Sequence, residues 1–454
     1  MESFEVVGEW WLPEHSDRKL AGRLVVDPVD GSHLTLIGGS LREVTDVATW
    51  THNNGESQAQ VSEDDFEVAG SYPRILGEAE GQRYTLEDGV QVNYRGAVFG
   101  RGYWQQVNVR SVLRGVHVPD GQAPSATTII LRPAGLNIWV PRSGISGAVA
   151  VDSREIKVRA TPLSADSAPL ADGGSVELRH HLGRPEFVED GLHIAEWFTL
   201  AVVRPTPAPL EDLIDSASDL HDLITIATGR PAVFDKLSLR HPDVVRDMSA
   251  LPGVKEAVSD GQLLSPIDLW ARWAITANPR AKPLRAADLY FNLEQFGGLP
   301  GLARWLDTVR KHRSSLGRVM STRTGNHGQL HDFYLDRVAA VEGMDTREHG
   351  DQIHFRERLL RSARVAGRPM DELLSGHLDA WSRQLTKDRN DMAHHKAVRL
   401  TEQLSEQHFL SESVYWLYVL RMLRMAQAPE AVFGQITDNR NFEFLKCQLA
   451  KFLP

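Results

Sequence analysis

The spacing of apolar residues changes once along the chain, near residues 206–209, which read Thr-Pro-Ala-Pro. Before this point, short runs such as residues 23–26 and 33–36 fit strands, and turn signals separate them. After it, apolar side chains recur at helical spacing over residues 210–224. The two patterns bury their apolar faces in different ways, so the chain has to form a β-rich part followed by a helical part.

Asp-Gly pairs mark the turns of the first part, because such pairs suit turns in which a residue adopts a positive φ. These pairs begin at Asp30, Asp88, Asp120, Asp172 and Asp190. The pair at 88–89 is predicted to join a strand at 84–86 to a strand at 90–92. We therefore predict that residues 1–205 form an antiparallel β-domain, either a sandwich or a barrel.

The second part is predicted to be helical in two stages. Residues 206–300 form a helical connecting region with short helices, which Gly-Gly and Pro-Gly steps interrupt. Residues 301–454 form a helical bundle. Within the bundle we predict helices at residues 333–341, 355–365, 373–385 and 411–426. The fold class is α+β with several domains: a β-rich N-terminal domain and an all-α C-terminal one.

Composition excludes several classes of protein. The chain of 454 residues has one cysteine, Cys447, and a formal net charge of −10. A single cysteine excludes an intramolecular disulfide and a cysteine-rich zinc site. The acidic balance does not attract nucleic acid, so an RNA site needs a local basic patch. Neither a signal-peptide pattern nor a bilayer-length apolar run is present, so we expect a cytoplasmic protein without a membrane partner.

The sequence predicts no cofactor. A phosphate-binding glycine-rich loop is missing, which argues against nucleotide hydrolysis. His180, His181, His193 and Glu196 lie close together in sequence, but their spacing fits no familiar metal-ligand pattern. We interpret them as residues on the surface of strands, and we expect no metal.

The strongest functional motif is Arg389, four further residues and then His394, with Asn390 directly after the arginine. This pattern resembles the signature of HEPN domains, in which four to six residues separate Arg from His. His395 also satisfies that spacing and is the alternative histidine. The other interpretation of Arg389 is a surface ion-pair residue beside Asp388.

Such a pair of side chains suits RNA cleavage without a metal ion. Histidine has a pKa near neutrality, so it moves a proton as the ribose 2′-hydroxyl attacks the phosphorus. A guanidinium holds phosphate oxygens through paired hydrogen bonds and offsets charge in the transition state. In a continuous helix, Arg389 and His394 would lie about 140° apart. They meet one phosphate only if the helix ends between them or if a second chain contributes.

Further residues near the motif have predicted supporting roles. Lys387, Lys396 and Arg399 are candidates for RNA binding through its phosphates. Asn390 either orients the phosphate or the histidine, or caps a helix end. We interpret Glu342, which precedes the motif in sequence, as a surface acid, with a cross-link between helices near the site as the alternative.

Segments at both ends of the chain resemble the ApeA-like group of HEPN proteins. Residues 8–13 (GEWWLP), 20–24 (LAGRL) and 75–77 (ILG) resemble the opening of the ApeA N-terminal domain. Residues 337–344 and 354–360 resemble the helices that precede the motif in ApeA-like HEPN domains. The order of the two domains is the same.

This resemblance implies an antiphage protein that acts by abortive infection. The N-terminal domain would sense a phage-derived trigger, and the HEPN domain would cleave RNA and leave 2′,3′-cyclic phosphate and 5′-hydroxyl ends. HEPN proteins typically dimerise so that two motifs line one cleft, which implies a homo-oligomer. The alternative is a non-catalytic HEPN domain that binds nucleic acid or nucleotide, or that only dimerises. The identity of the RNA substrate stays open.

Overall fold

Two units, each built from three segments of the chain, divide the protein. Unit 1 comprises Met1–Pro133, Arg204–Ile214 and Val233–Ala281, and unit 2 comprises Ala134–Val203, Asp215–Ala232 and Lys282–Pro454. The computed structural model describes residues 3–27, 30–42, 48–53, 56–61, 70–95, 104–150, 155–189, 191–247, 262–271, 284–324, 329–350, 353–393 and 401–453.

The strands are numbered in chain order. They are β1 (Phe4–Trp11), β2 (Leu20–Asp27), β3 (Gly31–Ile37), β4 (Ala48–Asn53), β5 (Glu56–Val61), β6 (Ser71–Ala79), β7 (Gln82–Arg95), β8 (Trp104–Val109), β9 (Ser111–Arg114), β10 (Ser125–Pro133), β11 (Ile145–Ala150), β12 (Glu155–Ala160), β13 (Asp166–Pro169), β14 (Ser175–Leu182), β15 (Glu186–Val188), β16 (Gly191–His193), β17 (Glu196–Pro209), β18 (Phe234–Arg240), β19 (Val245–Asp247), β20 (Gln262–Leu264) and β21 (Ile267–Ala271).

The helices follow the same convention. They are α1 (Leu136–Trp139), α2 (Leu210–Thr228), α3 (Gly298–Thr324), α4 (Leu330–His349), α5 (Phe355–Ala366), α6 (Arg368–Leu374), α7 (Leu378–Ala393), α8 (Thr401–Met425), α9 (Glu430–Asp438) and α10 (Arg440–Leu449), with 3₁₀ turns at Pro13–His15 and Ala286–Asp288. None of the described helices combines the length and the apolar content that crossing a bilayer requires.

Six strands of unit 1 close into a barrel. Neighbours follow the order β1, β2, β3, β8, β7 and β6, and β6 returns to β1, with every pairing antiparallel. From β7 the sheet continues through β9, β21 and β18 to β10. The predicted antiparallel β-domain is confirmed, and of the two predicted forms the chain adopts the barrel.

The barrel core is centred on Trp10, which is fully buried. Its indole Nε1 donates a hydrogen bond of 3.1 Å to the carbonyl of Gly22 on β2. On the other side, Trp10 pairs in register with Gly77 on β6. A Cβ on Gly77 would lie 2.1 Å from Cε3 of Trp10, so only glycine leaves room for the ring. The segments that carry the resemblance to the ApeA N-terminal domain therefore meet around one indole.

The Asp-Gly prediction is confirmed at some positions and wrong at one. Both Gly31, the first residue of β3, and Gly173, between β13 and β14, have a positive φ where a strand turns back on its antiparallel partner. Asp88 also has a positive φ, but it lies inside β7. Residues before it pair with β9 and residues after it pair with β8. The predicted hairpin at 88–89 is therefore a point where one long strand changes partners.

The chain changes from strand to helix where the sequence predicted it, because β17 ends at Pro209 and α2 starts at Leu210. α2 buries Leu213 and Leu220, and Gly229, with a positive φ, ends it. Beyond it, the predicted short helices are wrong for much of the region. Most of the described residues from 234 to 271 form strands, and β18 and β21 add to the sheet of unit 1.

Unit 2 contains a three-stranded antiparallel sheet of β13, β14 and β17 and the helices α3 to α10. The apolar helix predicted at 411–426 is α8, whose residues from Ser413 to Leu423 are buried. Even Arg421 is fully buried there, and it donates to Ser362 and to Glu348 at 2.6 Å each. These bonds compensate for burying a charge in the bundle.

Three of the predicted helices of the bundle are confirmed as α4, α5 and α8. The helix predicted at 373–385 is wrong, because the chain breaks there into α6 and α7. Ser375 and Gly376 both have positive φ at the break, a conformation that a right-handed helix does not include.

Candidate functional site

The arginine of the motif lies near the C-terminal end of α7, a helix that buried residues hold in place. Trp381 and Leu385 are fully buried on α7. The indole Nε1 of Trp381 donates a hydrogen bond of 2.8 Å to the hydroxyl of Ser413 on α8. Packing and this bond together determine how α7 is rotated, and they bring Arg389 to the surface of unit 2.

The guanidinium of Arg389 contacts three neighbours. Nη2 lies 3.5 Å from Oε2 of Glu342 on α4, and Nη1 donates to Oδ1 of Asn390 at 3.3 Å. The ring of Phe355, at the start of α5, lies with its centroid 5.7 Å from Cζ. The Arg389 side chain keeps 37% of its surface exposed. A half-exposed guanidinium over an apolar ring is a suitable position for binding a phosphate.

The position of Glu342 favours the second of its two interpretations. Its side chain is 25% exposed, and it cross-links α4 to α7 through Arg389 instead of being only a surface acid. A second guanidinium, that of Arg358 on α5, donates to the backbone carbonyl of Glu342 at 3.3 Å and to that of Ile353 at 3.1 Å. Arg358 thereby ties the C-terminal half of α4 to the start of α5, beside the carboxylate.

Arg389 is a partly exposed ion-pair residue, as its alternative interpretation stated, and it lies beside a buried Asp388. Asp388 is fully buried, and its Oδ1 accepts a hydrogen bond of 2.9 Å from Gln384, one turn earlier on α7. Arg389 pairs instead with Glu342 across two helices. Adjacent residues on a helix point about 100° apart, so a buried Asp388 and a half-exposed Arg389 are compatible.

The other predicted site residues divide into two groups. Lys387 and Asn390 lie on α7 and are exposed, and Asn390 is within the helix rather than at its N-cap. The remaining predicted residues, His394, His395, Lys396 and Arg399, lie outside the described residues. The structure thus brings together Arg389, Asn390 and Glu342. That Arg389 and His394 or His395 act on the same phosphate stays a prediction.

Comparison with known families assigns the N-terminal half of the chain to a family. The model of the family described as ApeA N-terminal domain 1 matches residues 5–248, which is more than half of the chain. The chain belongs to the ApeA N-terminal domain 1 family. No curated protein matches the chain, and no solved structure does. Membership of the ApeA family is consistent with an antiphage defence protein. The match ends before α3, so it leaves the helical part that carries Arg389 unassigned.

Within the part that matches the ApeA family, one polar cluster differs from its prediction. We placed His180 on a strand surface, but its side chain is buried. The amide of Leu163 donates to Nδ1 at 3.0 Å, which puts the proton on Nε2, 2.7 Å from Glu196. Glu196 also accepts from Ser143 at 2.8 Å and from the amide of Gly144 at 2.5 Å. Burial alone would raise the pKa of Glu196, but these hydrogen bonds outweigh it and lower the pKa.

The cluster around Glu196 has a structural role. His193 is exposed on β16 and belongs to a separate hairpin. Among the residues that the structure describes, no three His, Cys, Asp or Glu side chains are grouped as metal ligands would be. The buried imidazole and carboxylate instead tie β14 and β17 to the turn before β11 and to the loop between β12 and β13, which contains Leu163.

Proposed function

We propose that this ApeA-family protein is an antiphage defence ribonuclease, and that its helical region is a HEPN domain with Arg389 and His394 as the catalytic pair. The observation that carries the proposal is the placement of Arg389. Its guanidinium is half-exposed and rests near Phe355. It has more N–H donors than its contacts with Glu342 and Asn390 use. These donors suit the non-bridging oxygens of a phosphodiester.

The proposed reaction needs only groups of the protein and the RNA. The ribose 2′-hydroxyl gives its proton to a general base while its oxygen attacks the adjacent phosphorus and forms the P–O bond of a 2′,3′-cyclic phosphate. The bond from phosphorus to the 5′-oxygen breaks, and the leaving oxygen takes a proton to become a 5′-hydroxyl. His394 transfers a proton as general acid or base, and Arg389 stabilises the charge on the phosphate oxygens in the transition state. Lys387, Lys396 and Arg399 add electrostatic attraction for the RNA backbone.

The two parts of the chain have separate proposed roles. The N-terminal β-domain senses a phage-derived trigger, and the helical domain cleaves RNA once the trigger has bound. A homodimer through the helical domain would bring two motifs to one cleft, which removes the need for Arg389 and His394 of one chain to share a helix face. We expect the protein to act in the cytoplasm, without a metal or other cofactor.

The test is cleavage of labelled single-stranded RNA by the purified chain in EDTA. We expect fragments whose 5′ ends accept phosphate from a kinase without prior dephosphorylation, and no cleavage of the same sequence with 2′-O-methyl riboses. Arg389→Ala and His394→Ala should each lower the rate by at least about a hundredfold, the usual contribution of a proton-transfer or charge-stabilising group. His395→Ala identifies which histidine acts.

Arg383→Ala is the matched control. Arg383 lies on the same helix, is more exposed than Arg389 and pairs with Asp379 of its own helix at 2.9 Å. Its removal should leave cleavage unchanged. Cleavage that stops with EDTA, or that survives both Arg389→Ala and His394→Ala, would refute the mechanism. RNA binding without cleavage by the parent chain would favour the non-catalytic alternative. In cells, phage plating should recover when either catalytic variant replaces the parent.

A further inference from the structure

A cavity of about 240 Å³ lies in unit 2, separate from the contacts of Arg389. Its walls come from the end of α2 and the turn that follows, from Tyr290, from the end of α3 and from one face each of α8 and α10. All of these elements belong to the same unit. None of the described residues of the motif lines this cavity.

The floor of the cavity has an excess of positive charge. Arg323 at the end of α3 donates to Glu412 on α8 at 2.5 Å, and Arg337 on α4 donates to the same carboxylate at 2.8 Å. Burial alone would raise the pKa of Glu412, but the two guanidiniums outweigh burial and lower it to about 2. The carboxylate is therefore ionised near neutral pH. Two guanidiniums against one carboxylate leave one net positive charge.

A second arginine, Arg230, also lines the cavity, and its guanidinium lies 3.4 Å from Asp288. The Asp288 carboxylate also contacts Arg285 at 3.2 Å and Arg440 at 3.1 Å, so three guanidiniums share it. The guanidiniums of Arg230 and Arg323 both reach the cavity, where they suit the acidic group of a ligand.

Aromatic residues line another part of the cavity. Trp416 packs edge-on against Tyr290 with a centroid distance of 4.7 Å. Phe444 on α10 lies 6.1 Å from Phe409 on α8, also edge-on. Phe444 is 57% exposed, an unusual position for so large an apolar ring. Flat apolar surfaces beside guanidiniums suit a ligand that is itself flat and charged.

We propose that this cavity binds a small aromatic acid, that is, one flat ring bearing a carboxylate or a phosphate. The volume selects a single ring, because cavities for drug-sized ligands are larger, roughly 300–1,000 Å³. The ring lies against Phe444 and Phe409, and the acidic group faces Arg230 and Arg323. The proposal does not depend on RNA cleavage.

The experiment is calorimetric titration of the full chain with four probes: phenyl phosphate, benzoate, inorganic phosphate and benzyl alcohol. Phenyl phosphate or benzoate should bind saturably, at least about tenfold tighter than both inorganic phosphate and benzyl alcohol. Inorganic phosphate lacks the ring, and benzyl alcohol lacks the charge. The stronger of the two acids identifies whether the natural ligand carries a phosphate or a carboxylate.

Two variants test the site, and two controls match them. Phe444→Ala should weaken binding about fivefold. Arg230→Gln should weaken it about tenfold. The controls are Phe187→Ala, which removes a ring that is 89% exposed on β15, and Arg368→Gln, which removes an exposed arginine that pairs with Glu372. Both should bind like the parent. No saturable binding of either acid, equal binding of inorganic phosphate, or variants that bind like the controls would each overturn the proposal.

Discussion

The guanidinium of Arg389 lies 3.5 Å from the carboxylate of Glu342, and the two residues belong to different helices, 47 positions apart in sequence. A carboxylate at this place occupies a guanidinium that, in the proposed function, binds phosphate. Because a carboxylate and a phosphate are both anionic groups, Glu342 and the RNA backbone compete for the same N–H donors of Arg389. The contact is long and partly exposed, so it is weak enough for a phosphate to displace.

Glu342→Gln should therefore raise the affinity for RNA. Removing one competing charge at an exposed site changes binding by about two- to fivefold. The measurement is fluorescence anisotropy with a 2′-O-methyl RNA that cannot be cleaved, at fixed salt. Glu372→Gln is the control, because Glu372 pairs with Arg368 and not with Arg389. Weaker binding by Glu342→Gln would show that the carboxylate positions the guanidinium rather than competing for it.

The ion cluster at Glu412 predicts how stability depends on acid. Arg323, Arg337 and Tyr415 surround this carboxylate, and its pKa falls to about 2 in the folded chain, compared with an ordinary value of 4.5. A carboxylate whose pKa is lower in the folded chain stabilises the fold at every pH above its pKa in the unfolded chain. This contribution is lost as the pH falls from 4.5 toward 2. Its size is on the order of 3 kcal/mol.

Glu412→Gln should accordingly lower the melting temperature at pH 7 and flatten its decline between about pH 5 and pH 3. Thermal melting at a series of pH values is the measurement. Glu357→Gln, at an exposed position on α5, should leave the melting temperature at pH 7 unchanged. If Glu412→Gln has the same melting temperature as the parent at pH 7, the ion pairs of the two guanidiniums with the carboxylate do not stabilise the fold.

Local sequence patterns predicted the elements that depend on local periodicity. The change from strands to helices at 206–209 follows from the change in the spacing of apolar residues. In the structure, β17 ends at Pro209 and α2 begins at Leu210. The pairing of residues 23–26 with 33–36 follows from a short connection, and these residues are opposite one another in β2 and β3. The apolar run at 411–426 is long enough that only a buried helix fits it, as in α8.

Features that depend on distant partners could not be predicted in this way. β18 and β21 are strands because β10 and β9, more than a hundred residues earlier, pair with them. Asp88 lies inside β7 because that strand changes partners there, and no local turn is needed. The partner of Arg389 is on another helix, and helical spacing within α7 contains no information about α4.

Trp381 is the residue whose loss should disturb the motif helix most. It is fully buried, and its Nε1 bonds to Ser413 on α8. Trp381→Ala should cost about 3–5 kcal/mol through the cavity that it leaves. Trp381→Phe keeps most of the apolar contact, loses the hydrogen bond and should cost about 1–2 kcal/mol.

The measurement for both Trp381 variants is hydrogen exchange of peptides from α7 and α8, which reports the stability of these helices separately from the rest of the chain. Exchange should accelerate more in the alanine variant than in the phenylalanine variant. Arg383→Ala, two positions along the same helix, should exchange like the parent because Arg383 is exposed. Equal exchange in all three variants would show that Trp381 does not anchor α7.

Gly77 should not tolerate replacement by a residue with a Cβ. Its backbone faces the Trp10 ring, and a Cβ at position 77 would lie 2.1 Å from that ring. Gly22 contacts the ring from the other side, where a Cβ would lie 2.8 Å from it. The ring cannot move aside, since it is fully buried and its Nε1 is bonded to Gly22. Gly77→Ala should therefore destabilise the barrel by about 2–3 kcal/mol or prevent it from closing.

Gly147→Ala is the matched control for Gly77→Ala, because Gly147 also lies in a strand and a Cβ there meets nothing within 4 Å. The measurement is again hydrogen exchange, on peptides from β1 and β6. These peptides should exchange faster in Gly77→Ala, while peptides from α7 and α8, which belong to unit 2, should not change. If Gly77→Ala protects β1 and β6 as well as Gly147→Ala does, the indole has another position available, and a glycine at position 77 is not required for closing the barrel.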